Sequence, residues 1–118
     1  MTVQRGDVVL VDFPFSSRTG SKLRPALVVQ NDHNNGRLSN TIIAMITGTT
    51  HRSGETTQVL IDVATPDGKQ SGLNFNSAVT CENLFTIKQS VIRGTIGSLP
   101  STLMQQINDA LSASVDVR

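Results

Sequence analysis

Arg24-Pro25-Ala26-Leu27-Val28-Val29 is the stretch on which the fold turns. A charged side chain and a proline open a strongly apolar, β-branched run. Proline has no N–H to give to a ladder, so it belongs at a strand entrance or edge. Arg24 is thereby left at the mouth of a sheet, where a guanidinium can grip an anion through two parallel N–H groups. A second strand end of polar character, Met45-Ile46-Thr47, gives the first one its weight.

Working outward, Asp7 to Phe13 is short, nearly continuous in apolar character and stopped by Pro14, which predicts a strand. A polar loop from Phe15 to Leu23 follows, carrying Arg18, Gly20 and Lys22. The second strand is Arg24 to Gln30. Asn31 to Gly36 is dense in turn formers that tolerate left-handed backbone angles. Thr41 to Thr47 is a third strand, apolar enough to be buried on both faces. Gly48 to Glu55 is a second polar loop, with His51 and Arg52, and Thr57 to Asp62 a fourth strand.

Ala64 to Asn76 reads as loop, with a turn at Pro66-Asp67-Gly68. Ser77 to Cys81 is a short strand, Leu84 to Ile87 either strand or turn, and Val91 to Ile96 another strand. Pro100 then suits a first helical turn, and Leu103, Ile107 and Leu111 follow at helical spacing. Many short strands, tight turns and one terminal helix predict a mainly β fold. Its form is a small, strongly curved barrel with the amphipathic helix across it.

A chain of 118 residues makes one domain, residues 1–118, able to bury a core without metal or disulfide staples. The single cysteine, Cys81, excludes an internal disulfide and fits a reducing compartment. No apolar run approaches the roughly 20 residues needed to cross a bilayer. The N-terminal residues lack the layout of a signal peptide, so the cytoplasm is the expected location. The net charge of +1 does not announce a nucleic-acid binder, although a local patch decides that matter. With no Trp or Tyr and four Phe, platforms for base stacking are few.

Set in order, the informative pieces are Arg5-Gly6-Asp7-Val8, Arg24 to Asp32, Ala44-Met45-Ile46-Thr47, Val79 to Ile87 and Gly97-Ser98-Leu99-Pro100. This succession resembles the MazF/PemK type of toxin from bacterial type II toxin–antitoxin pairs, in a PemK-like branch, from Arg5 to about Leu111. The resemblance implies an SH3-like barrel with a C-terminal helix, working as a homodimer. It implies a metal-independent, cofactor-free endoribonuclease that cuts single-stranded RNA at short sequences. In that reaction the ribose 2′-hydroxyl attacks the neighbouring phosphorus and leaves a 2′,3′-cyclic phosphate. The implied partners are RNA and a cognate antitoxin with an acidic disordered segment, the pair together binding DNA.

The family's arginine and its threonine or serine carry over to Arg24 and Thr47. A fixed guanidinium stabilises the charge that gathers on phosphate oxygens in the transition state, and Thr47 positions the same phosphate. Some relatives place an arginine and an aspartate where this chain has Thr80 and Glu82. Glu82 is then a candidate base or a solvated turn carboxylate, and Thr80 a candidate RNA contact. Arg18, Lys22 and Arg52 are ordinary loop charges or a phosphate track beside the barrel mouth. Phe15 is a stacking platform or part of the core. His33 and His51 read as polar loop surface, and Cys81 as buried and inert. Two other classes fit the same fold: a non-catalytic SH3-like binding module, and a CcdB-like toxin that binds gyrase. The gyrase-binding class is expected to need a terminal Trp-Gly-Ile, whereas this chain ends Ser114-Val115-Asp116-Val117-Arg118.

Overall fold

A computed structural model describes residues 2–13 and 22–117. Its elements run β1 (Asp7–Phe13), β2 (Lys22–Val28), α1 (Asp32–Arg37), β3 (Asn40–Thr47), β4 (Gln58–Ile61) and α2 (Pro66–Lys69). β5 (Ser77–Lys88), a 3-10 turn (Gln89–Val91), β6 (Ile92–Ser98) and α3 (Ser101–Val115) complete the chain. All the strands join one antiparallel sheet in the order β4-β5-β3-β2-β1-β6. The sheet curls into the expected barrel-like form without closing, so β4 and β6 remain as edges.

Both faces are covered, which is why the strands read as continuous apolar runs. On one face Leu27, Ala44, Ile46 and Val79 pack beneath α3, which buries Leu103, Ile107 and Ala110 there. On the other, Val9, Val11, Phe13, Ala26, Val28 and Ile43 form a second core. The Phe13 ring meets the edge of Phe85 at 6.1 Å between centroids and 68° between planes.

Four elements differ from the sequence reading. β2 begins at Lys22, inside the expected loop, and ends at Val28. Pro25 therefore lies within the strand, opposite Leu10 of β1, and not at its entrance. It is tolerated there because its missing N–H falls on the side where β3 is not paired. The Asn31 to Gly36 run is not a series of turns but the start of α1. The Asn31 side-chain oxygen accepts from the Asn34 amide at 2.8 Å, capping the helix with the chemistry that also makes asparagine a turn former. Pro66-Asp67-Gly68 likewise opens α2, capped by Thr65, whose Oγ1 accepts from the Gly68 amide at 3.0 Å. Ser77 to Cys81 and Leu84 to Ile87 are not separate pieces; both belong to β5.

The Arg5-Gly6-Asp7 motif is architectural. Arg5 donates from Nε to the Val29 carbonyl at 2.8 Å and from a terminal nitrogen to Asn108 Oδ1 at 2.7 Å. It thus ties the end of β2 to the outer side of α3. Asn35, only 2 % exposed, anchors α1. Its Oδ1 accepts from Gln30 Nε2 at 2.9 Å and from the Thr41 hydroxyl at 2.7 Å, and its Nδ2 donates to the Gln30 carbonyl at 3.0 Å.

Candidate active site

Pro25 opens the site. β2 pairs with β1 along its length, but with β3 only at Ala26–Met45, Leu27–Ala44 and Val28–Ile43. At Pro25, which has no N–H for a further rung, the two strands part. Continuing the register by two residues sets Arg24 opposite Thr47. Beyond the split lies a cleft of about 440 Å³, lined by both of these residues together with Arg52, Gln58, Thr80 and Glu82.

Arg24 is half-buried, and its Nε is shielded from solvent with no hydrogen-bond partner among the described residues. A buried donor left unmade costs roughly 1–3 kcal/mol. Such a group is poised for an acceptor that arrives from outside. Thr47 ends β3, where its Oγ1 accepts from the Thr49 amide at 3.1 Å. Among the described residues the Thr47 hydroxyl proton has no acceptor, so it can be given to a ligand.

The opposite wall is built by a bulge in β5. Ala44 pairs with Leu84 while the next residue, Met45, pairs with Thr80, so Cys81, Glu82 and Asn83 are extra on the β5 side. Bulges of this kind re-aim side chains next to functional sites. Here the bulge turns Glu82 towards β4, where its Oε2 accepts from Gln58 Nε2 at 2.8 Å. Burial works to raise the Glu82 pKa. Hydrogen bonds from Gln58, its own backbone and Thr57, with the Arg52 charge behind them, hold it below the ordinary glutamate value. The carboxylate is therefore ionised at neutral pH.

Arg52 is engaged already. It grips Glu55 with Nε at 2.9 Å and a terminal nitrogen at 2.8 Å, and reaches Glu82 at 3.4 Å. The hydrogen bond and charge of Glu55 raise its pKa further. A phosphate meeting Arg52 must displace a carboxylate that uses the same bidentate geometry. Thr80 lines the cleft but is only 4 % exposed. Its hydroxyl donates to the Met45 carbonyl at 2.8 Å and accepts from Asn83 Nδ2 at 3.3 Å. Thr80 thus fastens the bulge from within.

Of the residues singled out from sequence, the cleft brings together Arg24, Thr47, Arg52, Thr80 and Glu82. Phe15 and Arg18 lie outside the described residues, and of Lys22 only the backbone is described, as the first residue of β2. The cleft adds His51, Gln58 and Asn83. His51 was legible as a neighbour of Arg52, but Gln58 joins only because β4 lies beside β5. Among the described residues, no three His, Cys, Asp or Glu side chains gather as a metal site. Nor is any helix among them long and apolar enough to cross a membrane.

The barrel-like sheet thus holds a polar cleft with two arginines at a strand split. Residues 4–115 match the family described as PemK-like, MazF-like toxin of type II toxin–antitoxin system. The chain belongs to that family. Endoribonuclease EndoA of Bacillus subtilis is 31 % identical over 116 residues, covering 98 % of this chain and 96 % of its own. Endoribonuclease MazF of Staphylococcus saprophyticus is 26 % identical over 114 residues, covering 96 % and 91 %. Among solved structures, Mycobacterium tuberculosis toxin MazF-mt6 superposes with a TM-score of 0.74 at 25 % identity, over 95 % of this chain and 98 % of that one. A mycobacterial endoribonuclease in complex with its cognate antitoxin shares the fold, with a TM-score of 0.80 at 22 % identity, over 98 % and 97 %.

Proposed function

We propose that this toxin is a sequence-specific, metal-independent endoribonuclease that cuts single-stranded RNA in the cytoplasm, as a homodimer restrained by a cognate antitoxin. The observation that carries the reading is the shielded Nε of Arg24, without a partner among the described residues, in a cleft that Thr47 also lines where β2 leaves β3. The relatives named as endoribonucleases support the activity, and the antitoxin-bound structure supports the partner.

A phosphodiester enters with its non-bridging oxygens on Arg24 and the Thr47 hydroxyl. The ribose 2′-oxygen attacks phosphorus as its proton passes to a base, for which the ionised Glu82 carboxylate is the candidate. The bond from phosphorus to the 5′-oxygen breaks, leaving a 2′,3′-cyclic phosphate. That departing oxygen takes its proton from water at the open cleft mouth. Glu82 arrives deprotonated and so cannot serve as the initial acid. Negative charge grows on the oxygens that Arg24 holds, and a donor already in place needs no reorganisation there.

Cleavage of a long single-stranded RNA with EDTA present tests the reading. Wild-type protein should give discrete fragments with cyclic-phosphate ends, and Arg24→Ala should cut about 10²- to 10³-fold more slowly. Intact RNA from a folded wild-type protein would instead leave a binding module.

A further inference from the structure

We propose that the pocket that shares Arg24 with the cleft and is lined by Phe75 is a nucleobase subsite. It takes one unpaired base next to the phosphate on Arg24 and so sets sequence preference. The inference rests on the endoribonuclease reading and deepens it.

This pocket, about 320 Å³, shares Arg24, Ile46 and Thr47 with the catalytic cleft, so a strand lying on Arg24 reaches both. Leu23, Pro25, Leu73 and Ile96 make its apolar surface, and Asn74 adds an amide. No acidic side chain is among its described lining residues. An apolar wall, a neighbouring cation and one amide suit a base on a polyanionic chain, because every base has an apolar face and a polar edge.

Phe75 is 63 % exposed and already in place. Its ring edge covers Gly48, where an added Cβ would come within 2.7 Å of the ring, so glycine after Thr47 lets the ring lie against the strand end. The loop below is tied down. Ser77 Oγ donates to the Phe75 carbonyl at 2.9 Å, and Asn76 Oδ1 accepts from the Val63 amide at 2.9 Å. Gly72, with φ of 75°, turns the chain tightly against Ile96. Stacking on a platform held this way costs little ordering entropy.

The test compares wild type, Phe75→Ala and Phe75→Tyr in two measurements. In the first, a random-sequence RNA pool is cut and the new ends are sequenced. Phe75→Ala should lose the preference at one position beside the cut and raise KM roughly 5- to 100-fold, while Phe75→Tyr keeps both. In the second, short RNAs carry 2-aminopurine beside a 2′-deoxy nucleotide that blocks cleavage. The protein has no Trp or Tyr to add emission. Stacking should quench the probe with wild type and Phe75→Tyr but not with Phe75→Ala. An unchanged cut-site profile and unchanged quenching in Phe75→Ala overturn the subsite. If wild type leaves the pool intact, the nuclease reading fails. The quenching then decides base capture alone.

Discussion

An ionised Glu82 limits how protons move in the cleft. A carboxyl with a depressed pKa contributes stability above its ordinary value and loses it as pH falls through its folded value. Glu82 and Glu55 are both depressed, so their bonds to Gln58 and Arg52 persist from neutrality to below the usual glutamate range. With Glu82 as base, the acid limb of the pH–rate profile falls below that range, and Glu82→Gln lowers the rate about 10²- to 10⁴-fold. An acid limb near neutrality would take the role of base away from Glu82. Cys81 gives a further test at this scale. Burial, helped by the Glu82 charge, pushes its thiol up to about 11. A thiol reagent at neutral pH should therefore leave native Cys81 unmodified and label it once the protein is unfolded. Above the ordinary thiol range the unfolded chain ionises first, so stability falls as pH rises towards that value.

The elements of the sheet carry their own predictions. Ile107, on the inner face of α3, is fully buried, and Ile107→Ala should lower stability by about 2–5 kcal/mol in urea melts. Thr80→Val keeps shape but removes the hydroxyl that satisfies the Met45 carbonyl. A loss of about 1–3 kcal/mol is expected, with slower cleavage if the bulge loosens. The strands and α3 were legible in the sequence because apolar runs and helical spacing are local signals. Arg24 and Thr47 were legible through the proline and the polar strand end. The continuity of β5 was not, because Glu82 and Asn83 interrupt its apolar pattern and the pairing that spans them is long-range. Gln58 and Phe75 were hidden for the same reason. Each matters through a neighbour distant in the chain. α1 was hidden differently, since one short polar run can spell either a turn or a cap.

For the whole molecule the net charge is only +1, and among the described residues that line the cleft Arg52 is already held by carboxylates, which leaves Arg24 as the arginine open to a phosphate. RNA affinity should accordingly fall only shallowly with salt. Two or three phosphate contacts give a log–log slope of about −1.4 to −2.1, which binding at several salt concentrations measures. A much steeper slope would show a longer cationic track. The order of the sheet has a further result. β1 finds its other neighbour only in β6, from Asp7 against Ser98 to Val11 against Ile92, and α3 seals the neighbouring core. Pairing between such distant segments is slow and waits for both to exist. A ribosome that stalls before Ile92 holds a chain with Arg24, Thr47 and Glu82 already made but with β1's outer edge bare and one core face open. Such a nascent chain carries the residues of the cleft without the last strand and helix that complete the sheet and its core, so the cleft takes its shape only after β6 and α3 have been made.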